Sequence, residues 1–413
     1  MDPQFGARLT GKLGLWNLGA IAVDDRAPSQ IAPPFDLVHG RRAEIGIVRI
    51  QREFENQSSA GFLVTSRNLA SGSNQVYSLD TRLKLKTNWV LAGQLVHSDT
   101  RQLDGIRLTG PAYWAELSHS GRHFVYAARY SDRGPSFHSD LGLIPRVDIR
   151  QMEHFVRYYW RPKNSRVVLF GPDVTTTVNW NRQGQVQDWI VDASFGADLK
   201  GPTGMGCRRV DAFELFQGRG FRKHNTDCGV NAKWLKWLEV SMDLGWGSSV
   251  NYYPSPGSPP SLANGTSGNF SFSFRPSPRF RYGQTYIYTR LGARFSSVGL
   301  IAAQASAIFN NHILRTKLNY QFTRPLSVRA IVDYNAVLPN PSLIALARTK
   351  RITADVLISY LLNPGTALYL GFTDGYENLA ISETEPRTLR RTGIPDTSTG
   401  RQFFINLSYL WRL

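Results

Sequence analysis

The segment QFFINLSYLWRL, residues 402–413, keeps one side apolar and the other side mostly polar. Every odd position, from Phe403 to Leu413, is apolar or aromatic, whereas the polar residues Gln402, Asn406, Ser408 and Arg412 hold even positions. A period of two is typical of a β-strand whose two faces meet different surroundings. The segment therefore predicts a strand with one apolar and one polar face.

The same alternation runs back through the chain, in residues 238–246, 270–275, 314–322 and 326–335. In each segment one face carries no charge and the other carries nearly every charge. A soluble sandwich would need a second sheet over each apolar face, whereas repetition in strand after strand indicates contact with lipid. A closed barrel is the only sheet that leaves no backbone group unpaired in hydrocarbon. The sequence thus predicts an all-β fold, an antiparallel transmembrane outer-membrane β-barrel of roughly 20–22 strands.

The composition agrees with a barrel. Hydrophobic residues make up 42% of the 413 residues and aromatic residues 12%. No run approaches the roughly 18 consecutive apolar residues of a transmembrane helix, which excludes a helical membrane protein. Aromatic enrichment at modest hydrophobicity is typical of barrels, whose interface girdles of Tyr, Trp and Phe surround a polar interior.

The formal net charge of +17 is spread over the whole chain. Such a spread is typical of solvated strand faces and of loops near anionic lipid headgroups, and it equally fits a lumen that favours anions. No basic tail or single basic helix gathers the charge, so we expect no nucleic-acid partner.

Connections between the predicted strands alternate in length. Short ones, such as 121–122 and 363–366, alternate with long ones rich in Gly, Pro and Ser, such as 133–148, 250–264 and 338–349. Short periplasmic turns and longer extracellular loops are typical of barrels. We therefore interpret residues 1–413 as a single transmembrane β-barrel domain in the outer membrane of a Gram-negative-type bacterium.

The start of the chain lacks an export signal. Met1-Asp2-Pro3-Gln4-Phe5 runs directly into strand-like sequence, without the basic and apolar regions of a signal peptide. A barrel with an even number of strands would also need one more strand upstream. We expect the chain to be the C-terminal part of a longer protein, with a signal peptide, any periplasmic module and one strand ahead of it.

One segment interrupts the alternation. Residues Val298 to Phe309, VGLIAAQASAIF, are rich in alanine and predict a short helix between two strands. This helix would lie either in an extracellular loop or inside the lumen as a partial plug.

Charged residues concentrate on the predicted lumen face, and their basic members outnumber the acidic ones. The expected lumen-lining set is Arg82, Lys84, Glu239, Asp243, Arg275, Arg281, Arg315, Lys317, Arg329, Asp333, Arg351 and Asp355. Arg315 and Lys317 stand in one strand without an acidic residue, and Arg275 and Arg281 flank a short turn. Because rings of Arg or Lys make anion pores, we expect a conducting barrel to prefer anions.

The alternation also predicts which residues face lipid near the C-terminal end of the chain. We expect Val356, Ile358 and Leu370 to face lipid, and Thr373 to face the lumen with Arg351 and Asp355. Cys207 and Cys228 fall near one predicted hairpin. They either form a disulfide in the oxidising periplasm or remain two free thiols, since their spacing does not decide.

Motifs for catalysis, phosphate binding and metal binding are absent from the sequence: it contains no HExxH, CxxC, GxSxG or phosphate loop. The eight histidines show no ligand spacing. The lumen carboxylates have basic neighbours on the same face, so cross-strand pairing explains them without catalysis. We expect no catalytic, metal-binding or cofactor-binding residue and no cofactor.

Several stretches resemble an outer-membrane domain family of unknown function, which usually follows an N-terminal carbohydrate-binding module of the family nine type. The stretches that carry the resemblance are 47–53 (IVRIQRE), 62–68 (FLVTSRN), 319–324 (NYQFTR), 333–335 (DYN), 360–374 (YLLNPGTALYLGFTD) and 400–404 (GRQFF). The resemblance implies an outer-membrane barrel and a link to carbohydrate uptake. The sugar-binding module lies outside this sequence, and the family supplies no catalytic residues.

The last strand resembles the signal read by the barrel-assembly machinery, which favours apolar or aromatic residues at alternating positions up to the final residue. Tyr409, Trp411 and Leu413 meet this spacing, although Leu413 stands where an aromatic is commoner. The expected partners are therefore that machinery, outer-membrane lipid and lipopolysaccharide, and an anionic or carbohydrate solute.

The leading functional hypothesis is a pore or gated channel for solute passage. A barrel near twenty strands is too wide for side chains alone to fill. A second hypothesis is a membrane anchor for a periplasmic carbohydrate-binding module, with the lumen blocked. An outer-membrane enzyme is a third, although no catalytic constellation supports it.

Overall fold

The computed structural model describes residues 2–26, 32–294, 307–363, 365–382 and 387–409. Strands dominate these residues, with one 3-10 turn at Glu55–Gln57. The strands are β1 (Pro3–Leu13), β2 (Trp16–Asp25), β3 (Ala43–Phe54), β4 (Ser58–Leu69), β5 (Gly72–Lys86), β6 (Trp89–Arg101), β7 (Arg107–Ser120), β8 (Phe124–Arg133), β9 (Ile149–Tyr158), β10 (Val167–Trp180), β11 (Val186–Leu199), β12 (Thr203–Phe216), β13 (Arg219–Leu235), β14 (Leu238–Asn251), β15 (Ser261–Ser277), β16 (Phe280–Ala293), β17 (Ala307–Gln321), β18 (Leu326–Pro339), β19 (Thr349–Asn363), β20 (Thr366–Glu377), β21 (Leu379–Ile381), β22 (Leu389–Arg391) and β23 (Thr397–Ser408).

Within the described ranges, 21 of these strands belong to one sheet, and β21 and β22 form a separate two-stranded ribbon. The strand number agrees with the range that the alternation predicts. Among the described residues, no helix has the length and apolar character needed to cross a membrane.

The chain divides into two units. The first comprises residues 1–159, 172–192 and 212–220. In it, strands β1 to β9 pair antiparallel in chain order, and β9 pairs with the Asp173–Trp180 part of β10. Antiparallel pairing of strands in chain order is the topology expected of an up-and-down barrel sheet.

The second unit comprises residues 160–171, 193–211 and 221–413. Strands β13 to β20 pair antiparallel in chain order, and β20 pairs with β23. A small apolar core lies at one end of this unit, where Ile344, in the loop after β18, packs with Ala263, Leu291 and Ile308.

The strand register separates an apolar face from a charged face. On the apolar face, Ile358 lies opposite Leu370, and Val356 lies opposite Phe372. On the charged face, the Thr373 hydroxyl donates a hydrogen bond of 2.6 Å to Asp355. Because side chains alternate along a strand, the residues expected to face lipid share one face of β19 and β20. The residues expected to face the lumen, which include Arg351, share the opposite face of these two strands.

The alanine-rich segment corrects one prediction. Ala307, Ile308 and Phe309 belong to strand β17, so the expected helix is wrong for these three residues. Their backbone pairs with β16 and β18, and such inter-strand hydrogen bonding overrides the helical preference of alanine. Residues 298–306 lie outside the described residues.

Candidate functional site: a basic pocket on the charged face

A pocket of about 450 Å³ lies on the charged face of β14 to β18, in the second unit. Four cationic side chains line it, together with hydroxyl and amide groups. The cations are Arg281, Arg315, Lys317 and Arg329; the polar partners include Ser271, Ser273, Thr285 and Asn319, and Glu239 is the single carboxylate of the lining.

The register of three strands brings the cations together. Arg281 of β16 lies opposite Asn319 of β17, and Lys317 lies opposite Gly283. Arg329 of β18 lies opposite Asn319 from the other side. Residues two apart share a face and lie about 7 Å apart along a strand, so these four cations occupy one patch.

Gly283 leaves room for the pocket. A Cβ atom at this position would lie 3.9 Å from the Cβ of Lys317, in ordinary contact. Without a side chain at Gly283, the surface between Arg281 and Lys317 stays open. Gly283 therefore lines the pocket beside Arg281 and opposite Lys317.

Ion pairing differs among the four cations. Arg315 Nε lies 3.2 Å from an Asp333 carboxylate oxygen. Arg281 Nε donates a hydrogen bond of 3.1 Å to the Ser273 hydroxyl. Within the described ranges, Lys317 and Arg329 contact no carboxylate within salt-bridge distance. Glu239 pairs with Lys233 at 3.6 Å instead of with a cation of the pocket. The pocket therefore keeps an excess of positive charge.

Two details of the geometry bear on the expected lumen charges. No acidic residue shares strand β17 with Arg315, but Asp333 of the adjacent strand pairs with it. Arg275 and Arg281 flank the same turn, yet only Arg281 lines the pocket. The sequence shows which face each residue occupies, but the pairing partner depends on a register that only the folded sheet defines.

The remaining predicted lumen residues lie elsewhere on the charged faces. Arg82 donates to the Gln57 carbonyl at 2.8 Å and Lys84 to the Gln57 side chain at 3.0 Å. Asp243 lines a separate pocket around Asp227 and Asn231. Arg351 lies opposite Glu377, which itself pairs with Arg391 at 2.9 Å. These residues line the charged face but do not gather at one site.

The cysteines lie on the apolar face of the second unit, joined by a disulfide. Cys228 lies opposite Leu244, and Val230 opposite Met242, so the bond shares its face with the apolar side chains of β14. The disulfide joins β12 to β13 and does not contact the basic pocket. Its place in the fold is structural.

Of the expected assembly signal, only Tyr409 falls within the described residues, where it is 65% exposed beyond the end of β23. Trp411 and Leu413 lie outside the described residues. The described residues contain no group of three or more His, Cys, Asp or Glu that could hold a metal ion.

No family model matches the sequence, and no curated protein matches it either. Several solved structures are similar. The ferric enterobactin receptor PfeA, which was solved in complex with BCV-L6, has a TM-score of 0.53 and 11% identity, over 98% of this chain and 79% of that one. The copper transporter OprC has a TM-score of 0.52 and 11% identity, over 99% and 79%. The ferric preacinetobactin receptor BauA from Acinetobacter baumannii has a TM-score of 0.50 and 10% identity, over 98% and 76%.

At such low identities the similarity shows the fold. That fold is an antiparallel outer-membrane β-barrel, as the alternation of side chains predicts. An outer-membrane location agrees with this fold, because closed antiparallel barrels of this size are typical of outer membranes. The resemblance to the family that follows a carbohydrate-binding module stays a prediction.

Proposed function

We propose that the chain forms a passage for solutes across the outer membrane, and that this passage prefers anions. The observation that carries the anion preference is the basic pocket, where Lys317 and Arg329 have no carboxylate within salt-bridge distance in the described residues. Unpaired cations on a pore wall raise the local concentration of anions and lower their barrier to passage.

The structural neighbours support passage as the general role. They include a copper transporter and receptors for ferric siderophores. Their cargo does not define the cargo here. The basic pocket favours a solute with phosphate or carboxylate groups, which guanidinium groups bind through paired hydrogen bonds. An acidic sugar would combine this charge with the carbohydrate link that the family resemblance implies.

The test is the reversal potential in a KCl gradient across a planar bilayer. We expect the wild type to prefer chloride and the variant Lys317→Glu/Arg329→Glu to lose or reverse this preference. A matched control is Arg279→Glu/Arg324→Glu, which makes the same change of charge in two short turns outside the pocket lining. It should shift the potential much less.

Three results would contradict the proposal. A wild type that prefers potassium would exclude an anion-preferring wall. Equal shifts in the pocket variant and the turn variant would show that total charge, rather than the pocket, sets the preference. A folded protein that never conducts would favour the membrane-anchor hypothesis.

A further inference from the structure

The loop between β8 and β9, residues 134–148, folds back onto the charged face of the first unit. Gly134 N donates to the Pro111 carbonyl of β7 at 2.9 Å. His138 N donates to the Ser98 hydroxyl of β6 at 3.0 Å. Asp140 N donates to the Asn74 side chain of β5 at 2.9 Å. The first half of the loop, 134–140, therefore crosses the neighbouring strands one after another. We call residues 134–148 the inner loop.

An ion pair holds the far end of this crossing. Arg67 of β4 contacts the Asp140 carboxylate at 2.7 Å. Arg67 stands on the fourth strand counted from β8, so contacts with the segment 134–140 extend across β7, β6, β5 and β4.

The strands beneath the inner loop carry buried polar residues that hydrogen-bond the loop backbone. Asn74 is 1% exposed and Ser98 is 0% exposed, although both are polar residues on the solvent-accessible charged face. Asn74 bonds the loop twice, because its amide also donates to the His138 carbonyl at 3.2 Å. Buried polar groups of this kind are costly unless paired, so their pairing with loop backbone indicates a docked loop.

Gly110 of β7 allows the loop to lie directly on the strand. A Cβ atom at this position would lie 2.6 Å from the Ser136 carbonyl carbon, closer than real contacts allow. Phe137 is 6% exposed at this crossing, whereas Leu143, on the returning half of the loop, is 90% exposed. The loop is thus packed on the wall at Phe137 and exposed at Leu143.

The second unit contains the same kind of arrangement. In the loop after β18, Asn340 N donates to the Ile308 carbonyl at 2.8 Å, and Ala345 N donates to the Tyr253 carbonyl at 2.9 Å. Asn251 donates to the Leu343 carbonyl at 2.9 Å. An asparagine side chain from a wall strand again holds the backbone of an incoming loop.

We propose that the inner loop is a constriction, which covers part of the charged face and sets the size of solute that reaches it. The inference rests on the proposed passage function but can fail independently of it. An extracellular loop that only contacts solvent would not need a buried asparagine, a buried serine, a glycine and an arginine on four successive strands.

The experiment removes the inner loop without changing its strands. Arg133 and Ile149 lie opposite each other in the register, so an Asn-Gly turn can replace residues 134–148 in a two-residue hairpin. The matched control replaces residues 102–106, between the paired residues Arg101 and Arg107, with the same turn. A second variant, Asn74→Ala/Ser98→Ala, keeps the loop and removes its wall partners.

The first readout is chemical labelling and needs no conduction. Ser131→Cys places a thiol on the charged face, in a pocket that Phe137 and Ile144 of the inner loop help to form. Wild-type Ser131 is 7% exposed. Replacing the inner loop should raise labelling of the introduced thiol by a bulky maleimide several-fold, and by a small methanethiosulfonate less. Ser59→Cys, at the other end of the charged face opposite Arg82, should not change.

The second readout is single-channel conductance. A chain segment packed on a sheet occupies a layer about 10 Å thick, so removing the inner loop should raise conductance on the order of twofold. Asn74→Ala/Ser98→Ala should increase current fluctuations. The 102–106 replacement should change neither the conductance nor the fluctuations. Labelling of the Ser131→Cys variant that is unchanged by loop removal overturns the inference. Size-dependent labelling with no conductance in any variant supports the inference and counts against the proposed passage.

Discussion

Arg49 of β3 forms a two-point ion pair with Asp80 of β5 across the intervening strand β4. Arg49 Nη2 lies 2.8 Å from one carboxylate oxygen, and Nη1 contacts the other. The guanidinium passes over Gly61, where a Cβ atom would lie 2.6 Å from Nη2. The glycine thus lets a pair form between strands that are not neighbours. The pair neutralises Asp80, so Arg82 and Lys84 beside it act without an acidic partner.

The first prediction concerns this pair. Asp80→Asn removes a carboxylate from the charged face and frees the charge of Arg49, so it should shift the reversal potential towards stronger anion preference. Asp99→Asn is the matched control, because Asp99 also pairs with an arginine, Arg107, but lies opposite Gln75 on the other face. Equal shifts for both variants, or a shift towards cations for Asp80→Asn, would be incompatible with this arrangement.

A second prediction concerns Gly371 and Phe404, which lie opposite each other on β20 and β23. A Cβ atom at Gly371 would overlap the Phe404 ring. Gly371→Val should therefore destabilise the folded protein by about 1–3 kcal/mol through overpacking. In Gly371→Val/Phe404→Ala the loss should be smaller than the sum of the two single changes. Urea unfolding in lipid would give the unfolding free energies of the wild type, both single variants and the double variant. If the two single losses add up to the loss in the double variant, the Phe404 ring does not cover Gly371.

A third prediction tests the two faces of β19. Ile358 lies opposite Val328 and Leu370 on the apolar face, whereas Thr353 lies opposite Asp333 and Gly375 on the charged face. Ile358→Arg should cost about 2–4 kcal/mol if the position is near the bilayer midplane, and Thr353→Arg far less. Both variants introduce the same side chain on the same strand. Equal destabilisation in urea titrations of lipid-refolded protein would mean that the faces are reversed.

The disulfide supports a fourth prediction. It closes a loop with a sequence separation of 21 residues across the β12–β13 hairpin. Cys207→Ala/Cys228→Ala should lower the free energy of unfolding by about 2–4 kcal/mol, because the bond restricts the unfolded chain. Wild-type protein treated with a reductant before unfolding should show the same loss. A reductant that changes neither stability nor gel mobility of the unfolded wild type would show that the thiols are free.

The strand pattern was predictable from the sequence because one face of each strand meets lipid. In β23, for example, Phe403, Ile405 and Leu407 follow the period of two over the second half of the strand. The helix expected at the start of β17 was wrong, since local alanine content competes poorly with pairing to Leu291 and Pro339 on adjacent strands.

The site was predictable only in part. The face of Arg281, Arg315, Lys317 and Arg329 follows from their positions in the pattern. The Arg315–Asp333 pair depends on register, and no periodicity within one strand contains that information. The inner loop was recognisable as a long connection, but not its docking on the sheet. Asn74 and Asp140 are 66 residues apart in sequence, and neither has a local signal for the contact.

The last prediction concerns salt. If the preference for anions comes from the pocket around Lys317 and Arg329, it should weaken as mobile ions screen these charges. The screening length is about 10 Å at 0.1 M salt and about 3 Å at 1 M, whereas a pocket of about 450 Å³ measures several ångströms across. The chloride-to-potassium permeability ratio should therefore be largest in gradients near 0.1 M and approach unity in gradients near 1 M. Lys317→Glu/Arg329→Glu should show a reduced or reversed ratio at low salt and the same ratio as the wild type at high salt. A ratio that does not depend on salt would indicate selection by fit inside a narrow site, where ions cannot screen the wall, rather than by the field of the pocket.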